Sequence, residues 1–281
     1  MLIHSQNNEL TLNESVEFNG IGIHSGKEVS IKCKPQSEGG IVFTRTDLKN
    51  ALIEVHPEHI NGSNRASILT KNNHSIYTPE HLLSALSGLN IDHLSIEINS
   101  PEVPILDGSS KNFIEMFLKV GTKKLSSFKK ILKLEKTISL NEEDSWIRLS
   151  PTKKNKSRIQ YELSYPNHFI KTQIYDIVLD KESYCEEIAP ARTYGFKHEI
   201  DALIKQGLAK GGSLDNAVVI GETDYLNKLR FDNECVRHKI LDLIGDFSIL
   251  GFPILADIEA YKSGHSLNLK MVKEIYKLLQ I

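Results

Sequence analysis

The alternation of apolar and polar residues predicts both strands and helices in the first part of the chain. Residues 29–33 and 93–98 alternate with a period of two, which is typical of half-buried strands. Between them, Thr78 is a candidate helix N-cap, Pro79 fits the first helical position and Gly88 can end the helix. Strands and helices are therefore expected to mix within this part.

The same mixture continues to the C-terminus. Residues 121–130 are basic, contain serine and show little periodicity, so we interpret them as a linker between two domains, 1–125 and 126–281. The other predicted elements are helices over 111–120, 195–206, 234–247 and 264–280, and strands near 131–140, 145–149, 158–165, 216–220 and 254–261. This order predicts an α+β fold with two domains that meet across a cleft.

Composition and charge narrow the class of protein. The chain has 281 residues, of which 40% are apolar and 25% charged, as in ordinary soluble globular proteins. A formal net charge of −2 does not favour nucleic acid or an anionic membrane as the main partner. Three scattered cysteines give no disulfide framework, which is typical of a reducing cytoplasm. The longest apolar stretch, near 247–258, is too short to span a bilayer, and the N-terminus does not resemble a signal peptide.

Three acidic or imidazole side chains recur every four residues in the predicted helix 234–247. His238, Asp242 and Asp246 therefore lie on one face of that helix. The pattern fits an amphipathic helix with a solvated polar face. It also fits a metal-binding helix, because an imidazole and a carboxylate one turn apart can hold the same ion. In that case Asp246 is placed to hold another side chain rather than the metal.

Glu80 and His81 lie in the first turn of the first predicted helix. An acidic residue there is favourable in any protein, and this is the simpler interpretation. The helix dipole also favours neutral His81, the form that binds a metal. His81, His238 and Asp242 together would supply three ligands and leave one position open, as in catalytic zinc sites. Glu80 could then act as a general base toward a water in the open position.

His265 follows a predicted strand and opens the last predicted helix. A histidine in such a place is commonly a cap or a surface residue. If Asp246 hydrogen-bonds one of its ring nitrogens, the carboxylate favours the imidazolium form, and His265 can serve as a proton donor.

A glycine-rich segment at residues 20–27 does not fit a phosphate-binding loop. Ile21 and Glu28 stand where the GxxxxGK[ST] pattern needs a glycine and a hydroxyl, and Ser25 replaces the third glycine of GxGxxG. We interpret the segment as a glycine-rich turn that brings His24 near a functional site.

Seven segments, in order, resemble the zinc-dependent UDP-3-O-acyl-N-acetylglucosamine deacetylases of lipid A synthesis. They are GIGIHSGK at 20–27, TPEHLLSALSGLNID at 78–92, PEVPILDGSS at 101–110, ARTYGF at 191–196, GGSLDNAVV at 211–219, VRHKILDLIGD at 236–246 and AYKSGHSLN at 260–268. They cover almost the whole chain, and their combination is specific although no single segment is.

The resemblance implies two similar α/β sandwich domains, with helices packed between two sheets and the active site at the domain interface. It implies hydrolysis of the N-acetyl group of UDP-3-O-(3-hydroxyacyl)-N-acetylglucosamine to acetate and UDP-3-O-(3-hydroxyacyl)-glucosamine, the committed step of lipid A biosynthesis. The implied cofactor is Zn²⁺, and the same ligands accept Fe²⁺. The implied partner is a UDP-linked acylated amino sugar. We expect a cytoplasmic monomer without nucleic acid, and contact with the inner membrane surface stays open.

The resemblance also implies roles for individual residues. The metal ligands are matched by His81, His238 and Asp242. Glu80 matches the general base, and His265 matches the general acid, which Asp246 orients. Thr193 matches the hydroxyl that helps to hold the oxyanion, and Lys239 matches the cation near the reacting centre. The substrate-contacting positions, which include an apolar passage for the acyl chain, are matched by Tyr194, Phe196, Ile200, Gly212, Ser213, Ala217 and Lys262.

Some positions depart from the family pattern. Pro79 stands where an aliphatic residue is common, and Tyr194 replaces a common phenylalanine. Leu214 and Asn216 vary near the passage, so the preferred acyl length stays open. Two other functions also remain open at this point: another zinc amidohydrolase that acts on an N-acyl sugar, and a non-catalytic binder of sugar nucleotides.

Overall fold

The computed structural model describes residues 1–279, and within them the chain forms eighteen strands and six α-helices, besides a short 3-10 helix at Pro57–His59 and a π-helix at Tyr184–Ile188. The strands are β1 Leu2–Leu12, β2 Val16–Ile21, β3 Glu28–Pro35, β4 Ile41–Arg45, β5 Ala51–Glu54, β6 Ile60–Ser63, β7 Ser67–Lys71, β8 His74–Tyr77, β9 Leu94–Ile98, β10 Thr122–Lys133, β11 Ile138–Glu142, β12 Ser145–Ser150, β13 Arg158–Tyr165, β14 Lys171–Val178, β15 Tyr194–Phe196, β16 Val218–Ile220, β17 Ile254–Leu255 and β18 Asp257–Tyr261. The helices are α1 Glu80–Gly88, α2 Lys111–Val120, α3 Lys181–Ser183, α4 Lys197–Lys205, α5 Glu234–Ser248 and α6 His265–Leu279.

The two large sheets share one topology. The spatial order is β2-β3-β9-β4-β5 in the first sheet and β11-β12-β18-β13-β14 in the second. In each sheet one pair is parallel, β4 with β9 and β13 with β18, and the other neighbours are antiparallel. In the first sheet, α1 precedes β9, the last of its strands along the chain, and α2 follows it. In the second sheet, α5 precedes β18 and α6 follows it. The chain therefore contains two similar α+β units, and the predicted fold class is confirmed.

Helices α1 and α5 are largely buried and form the centre of the core. All residues of α1 except Ser87 are buried, and α1 packs against α5. Helix α5 also contacts β13 and β14 of the second sheet. On the first sheet, the ring of Phe18 packs edge-on against Phe113 and Phe117 of α2, with ring centroids 4.9 and 5.7 Å away. Burial of these apolar faces holds the two units together.

The segment predicted as a linker forms a strand, β10, which the sequence pattern did not predict; its role as the connection between two domains stays a prediction. Strand β10 pairs antiparallel with β1, and most side chains over residues 122–128 are exposed on both faces of the ribbon. A strand exposed on both faces shows no alternation of apolar and polar residues, which explains the missed signal. Its Lys129 is buried, with Nζ 2.8 Å from a carboxylate oxygen of Asp92. The domain boundary at 125/126 falls inside β10 and stays a prediction.

The start of the first helix also differs from the prediction. Helix α1 begins at Glu80, and Pro79 rather than Thr78 precedes it directly. Thr78 has a φ of +56°, in the left-handed region, whereas an N-cap is usually extended. Other bounds also changed. The strands predicted over 131–140 and 254–261 are each split, the first between β10 and β11 and the second between β17 and β18. The helix predicted from 195 begins at Lys197, and the strand predicted from 216 begins at Val218. The final residue of the predicted helix 264–280 lies outside the described residues.

Candidate active site

A cavity of about 840 Å³ opens between the two units. All of the predicted site residues except Asp246 line it, and they come from both halves of the chain. Asp246 is fully buried and contacts His265 from behind the cavity wall. The fold therefore brings together residues as far apart in the sequence as Glu80 and His265, which are separated by about two thirds of the chain.

The three predicted metal ligands converge in this cavity. One ligand atom from each of His81, His238 and Asp242 lies within 4.8 Å of the other two, and all three side chains are buried. Oδ1 of Asp242 is 3.2 Å from Nε2 of His238 and 3.6 Å from Nε2 of His81. Helix α5 supplies two of these side chains one turn apart, and α1 supplies the third. Two imidazoles and a carboxylate form a donor set that suits zinc and related divalent ions.

The surroundings of the three side chains fit a cation. Oδ1 of Asp242 is buried and has no hydrogen-bond partner among residues 1–279, an arrangement that a metal ion would compensate. Nδ1 of His238 lies 3.0 Å from the carbonyl oxygen of Ala191, so donation there leaves Nε2 free to bind a metal. Burial lowers the pKa of His81, which favours its neutral form.

Lys239 forms an ion pair with a predicted metal ligand. Its Nζ lies 2.7 Å from Oδ2 of Asp242, and it lies 5.6 Å from the ring centroid of Tyr194. Burial by itself raises the pKa of Asp242, but the nearby His238 and Lys239 outweigh burial and hold the pKa well below its usual range. Asp242 is therefore ionised, and its second oxygen is held by a lysine that also faces the cavity.

Glu80 and His265 face each other across the cavity floor. Oε1 of Glu80 lies 3.6 Å from Nε2 of His265. Burial raises the pKa of Glu80 to about 8. Burial by itself lowers the pKa of His265, but the carboxylates of Asp246, Glu80 and Asp242 outweigh it and raise the pKa to about 10. The site thus pairs a carboxyl group with an imidazolium, which are candidates for a proton acceptor and a proton donor.

Asp246 is held by more partners than sequence reasoning identified. Its Oδ2 lies 2.9 Å from Nδ1 of His265 and accepts a hydrogen bond of 2.8 Å from Nδ2 of Asn268. Its Oδ1 accepts a hydrogen bond from the hydroxyl of Ser67. Ser67 was not predicted, although one signal was available: it is a polar residue at an inward-facing position of a strand, two residues before buried Leu69.

Thr193 and Tyr194 lie where the second unit contributes to the cavity wall. The backbone N–H of Thr193 donates to the carbonyl oxygen of Gly108 at 2.8 Å, and its own carbonyl accepts from Val218 at 2.7 Å. These bonds fix the partly exposed Thr193 beside the cavity. The hydroxyl oxygen of Tyr194 lies 3.2 Å from that of Tyr165, so the additional hydroxyl at position 194 has a partner.

An apolar arm of the cavity is formed by β15, α4 and the loop before β16. The predicted passage residues Phe196, Ile200, Gly212, Ser213 and Ala217 line it, and so do three residues that were not predicted: Leu203, Ile204 and Leu226. Leu214 also lines the cavity and is 51% exposed. Asn216 has a structural role, because its amide donates to the carbonyl of Gly211 at 2.9 Å and its oxygen accepts from the N–H of Ser213 at 2.8 Å.

The glycine-rich segment forms a turn, as predicted. Glu102 accepts hydrogen bonds from the N–H groups of His24 at 2.7 Å and Ser25 at 2.8 Å. A Cβ atom at Gly22 would lie 2.1 Å from a carboxylate oxygen of Glu102, so a side chain there would displace this bond. His24 lines the cavity, which agrees with its expected place near the site.

Lys262 lies at the cavity mouth in the loop between β18 and α6. Its Nζ pairs with the exposed carboxylate of Asp144, and its backbone has a φ of +50°. The loop therefore turns sharply just before His265, the first residue of α6. No helix within the described part of the chain has the length and apolar character needed to cross a membrane.

Comparisons with known proteins identify the family of this chain. The family model of UDP-3-O-acyl N-acetylglycosamine deacetylase (LpxC) matches residues 9–277. A UDP-3-O-acyl-N-acetylglucosamine deacetylase of Syntrophotalea carbinolica is 40% identical over 94% of this chain and 86% of its own length. Those of Campylobacter jejuni and Geotalea uraniireducens are also 40% identical, over 96% and 94% of this chain and 92% and 87% of their own lengths. The chain therefore belongs to the UDP-3-O-acyl-N-acetylglucosamine deacetylase family.

Proposed function

We propose that this protein is a metal-dependent deacetylase. It hydrolyses the N-acetyl group of UDP-3-O-(3-hydroxyacyl)-N-acetylglucosamine and so commits this sugar nucleotide to lipid A synthesis. The observation that carries the proposal is the convergence of His81, His238 and Asp242 beside Glu80 and His265 in one cavity. Membership of the deacetylase family and the apolar arm of the cavity support the acylated sugar nucleotide as substrate.

His81, His238 and Asp242 would hold the metal, and we propose Zn²⁺, with Fe²⁺ as the alternative for the same donors. When bound, the ion would polarise the acetyl carbonyl and lower the pKa of a coordinated water. The carboxylate of Asp242 would neutralise part of the charge of the ion. Lys239 keeps the second oxygen of Asp242 engaged, which leaves Oδ1 for the ion.

Glu80 serves as the general base. Its carboxyl group lies beside His81, and its Oε2 accepts a hydrogen bond of 3.2 Å from the backbone N–H of Ser67, so its position is fixed. It takes a proton from the water that attacks the acetyl carbonyl carbon. Without a metal, burial raises the pKa of Glu80 to about 8; a nearby divalent cation favours the ionised form that the reaction requires.

His265 serves as the general acid. Asp246 accepts a hydrogen bond from Nδ1, which directs Nε2 into the cavity and favours the imidazolium form. That Nε2 delivers a proton to the sugar nitrogen as the C–N bond breaks, and the amine leaves with acetate as the other product. The hydroxyl of Thr193 contributes to stabilising the negative charge on the former carbonyl oxygen, and removal of one such donor typically costs roughly 2.7–4 kcal/mol.

The remaining cavity residues recognise the substrate. Lys239 and Lys262 supply positive charges for the anionic nucleotide part, and Tyr194 supplies an aromatic ring near the reacting centre. Phe196, Ile200 and the residues of the apolar arm receive the acyl chain. Burial of that chain contributes about 0.8 kcal/mol for each methylene group removed from water, so binding is expected to depend on acyl length.

The test is release of acetate from UDP-3-O-(3-hydroxyacyl)-N-acetylglucosamine by the purified protein. The reaction is run as isolated, after chelation, and after addition of Zn²⁺ or Fe²⁺. Activity that disappears on chelation and returns with metal supports the proposal. Release of acetate only from sugars without the acyl chain would indicate a different amidohydrolase, and tight binding without release would indicate a sugar-nucleotide binder.

A further inference from the structure

Ser67, the first residue of β7, contacts both proposed proton-transfer groups. It is fully buried. Its backbone N–H donates to Oε2 of Glu80 at 3.2 Å, and its carbonyl accepts from the N–H of Thr78 at 3.1 Å. Its hydroxyl donates to Oδ1 of Asp246, and Oγ lies 3.5 Å from Nδ1 of His265. The general base and the general acid are therefore connected through one residue.

The contacts of Asp246 come from both halves of the chain. His265 and Asn268, on α6, both engage Oδ2 at 2.9 and 2.8 Å. Oδ1 lies 3.2 Å from Nδ1 of His265 and also accepts a hydrogen bond from Ser67. Of these two residues, Ser67 belongs to the first unit. An ionised carboxylate only accepts hydrogen bonds, and these three donors occupy both of its oxygens. Loss of the serine hydroxyl would leave the orientation of the carboxylate to residues of the second unit alone.

We propose that Ser67 is a positioning residue for proton transfer. The hydroxyl of Ser67 fixes the plane of the Asp246 carboxylate and thereby the orientation of the His265 ring. The backbone of Ser67 holds Glu80, so one residue sets the position of the His265 ring relative to Glu80. The inference rests on the proposed function, because it assigns Ser67 to the general acid and general base of that reaction. Ser67 itself is not among the residues that line the cavity, so we do not expect it to touch substrate.

The first experiment compares Ser67→Ala with wild type in the acetate-release assay, with zinc content and Tm measured in parallel. We expect kcat to fall roughly tenfold to a hundredfold, the effect of losing a hydrogen bond to a charged group, with KM and bound zinc unchanged. Ser84→Ala is the matched control. Ser84 is also fully buried, and its hydroxyl accepts from Tyr184 at 2.9 Å, away from Asp246. This control is expected to lower Tm while kcat stays at the wild-type value.

A second pair of variants separates the hydroxyl from the shape of the side chain. Threonine and valine have nearly the same shape, and only threonine carries a hydroxyl. We expect Ser67→Thr to retain a much higher kcat than Ser67→Val at similar Tm. Equal kcat values for these two folded variants would overturn the proposal even if Ser67→Ala did not fold.

A double mutant tests whether Ser67 acts through His265. In a His265→Ala background, Ser67→Ala should produce no further loss of kcat, because the group that it positions is gone. The same fractional loss in both backgrounds would mean a general structural role and overturn the inference.

If metal-loaded wild type releases no acetate, the proposed function itself fails and the inference falls with it. If wild type is active and Ser67→Ala matches its kcat, the inference alone fails.

Discussion

A Cβ atom at Gly245 would lie 2.1 Å from the backbone carbonyl oxygen of Glu80. Gly245 is on α5 and Glu80 begins α1, so the absent side chain allows the two helices to approach closely. This contact lies beside the candidate metal site, because His81 follows Glu80 directly and Asp242 is one turn before Gly245. The separation of the two helices thus determines whether ligands from both can reach one ion.

Gly245→Ala is therefore expected to destabilise the protein. Alanine in a helix is normally favoured over glycine by up to about 1 kcal/mol, but here the added carbon meets backbone that cannot rotate away. Relief of the clash requires α1 and α5 to separate, which moves His81 away from His238. We expect a lower Tm and less zinc retained after dialysis, measured by calorimetry and metal analysis. A Tm equal to or above that of wild type would show that the helices adapt without cost.

Replacement of either proposed proton-transfer residue should lower the rate without changing the metal content. Glu80→Ala and His265→Ala are each expected to retain zinc and to lower kcat by at least about a hundredfold, the lower end for general acid–base catalysis. The reason is that neither side chain belongs to the group of three that could hold the ion. Single-turnover acetate release and metal analysis of the same samples measure both quantities. Near-wild-type rates in both variants would refute the assigned roles.

Replacement of a proposed metal ligand should remove the metal, and the activity with it. In His238→Ala or Asp242→Ala, two of the three donors remain, and we expect the purified protein to contain little zinc and to release no acetate. Glu80→Ala is the control, because it alters the same cavity and should keep its metal. Full zinc occupancy in Asp242→Ala would mean that the metal is held elsewhere or by other residues.

The metal-free protein should become less stable as the pH rises from 6.5 to 8. The folded-state pKa of Glu80 is about 8, and that of His265 about 10, so each keeps a proton that the unfolded chain has released in this range. Stability then falls with pH, by up to about 1.4 kcal/mol per unit for each group. Urea unfolding of chelated protein at several pH values measures the slope. Glu80→Gln, which does not titrate, should show a shallower slope; an identical slope would contradict the shifted pKa of Glu80.

The apolar arm of the cavity predicts dependence on acyl length. Ala217 lines the arm, and a phenylalanine in its place would fill space that the acyl chain is proposed to use. We expect Ala217→Phe to lower kcat/KM for long-chain substrates by roughly fourfold for each methylene group that is excluded, with a smaller effect on short-chain substrates. Leu118→Phe, at an exposed position of α2 outside the cavity, is the control. A uniform effect on all chain lengths would place the acyl chain elsewhere.

Several features of the site could be predicted from local sequence. The helix period alone places His238, Asp242 and Asp246 on one face, and α5 has nearly the predicted bounds. Residues 20–27 fit neither phosphate-loop pattern, and the segment was therefore predicted as a turn, which is what it forms. The residue types had suggested that His81 and His265 could join this face of α5, and the resemblance to a known family implied that all of them belong to one site.

Other features depended on contacts that local pattern does not encode. Strand β10 was missed because its side chains are exposed on both faces and its pairing with β1 comes from backbone hydrogen bonds. Thr78 was wrongly predicted as an N-cap, since its positive φ follows from the turn between β8 and α1 rather than from residue type. Ser67 has no motif around it, and its partner Asp246 is 179 residues away.

The amino-acid sequence establishes which side chains are available for chemistry and, through the helix period, which of them share a face. How those faces meet depends on tertiary packing. The close approach of α1 and α5 at Gly245 brings His81 to His238, and the hydroxyl of Ser67 reaches Asp246 from the other unit. Local spacing fixes angles along one element, whereas distances between elements result from packing of the whole core, to which residues throughout the chain contribute.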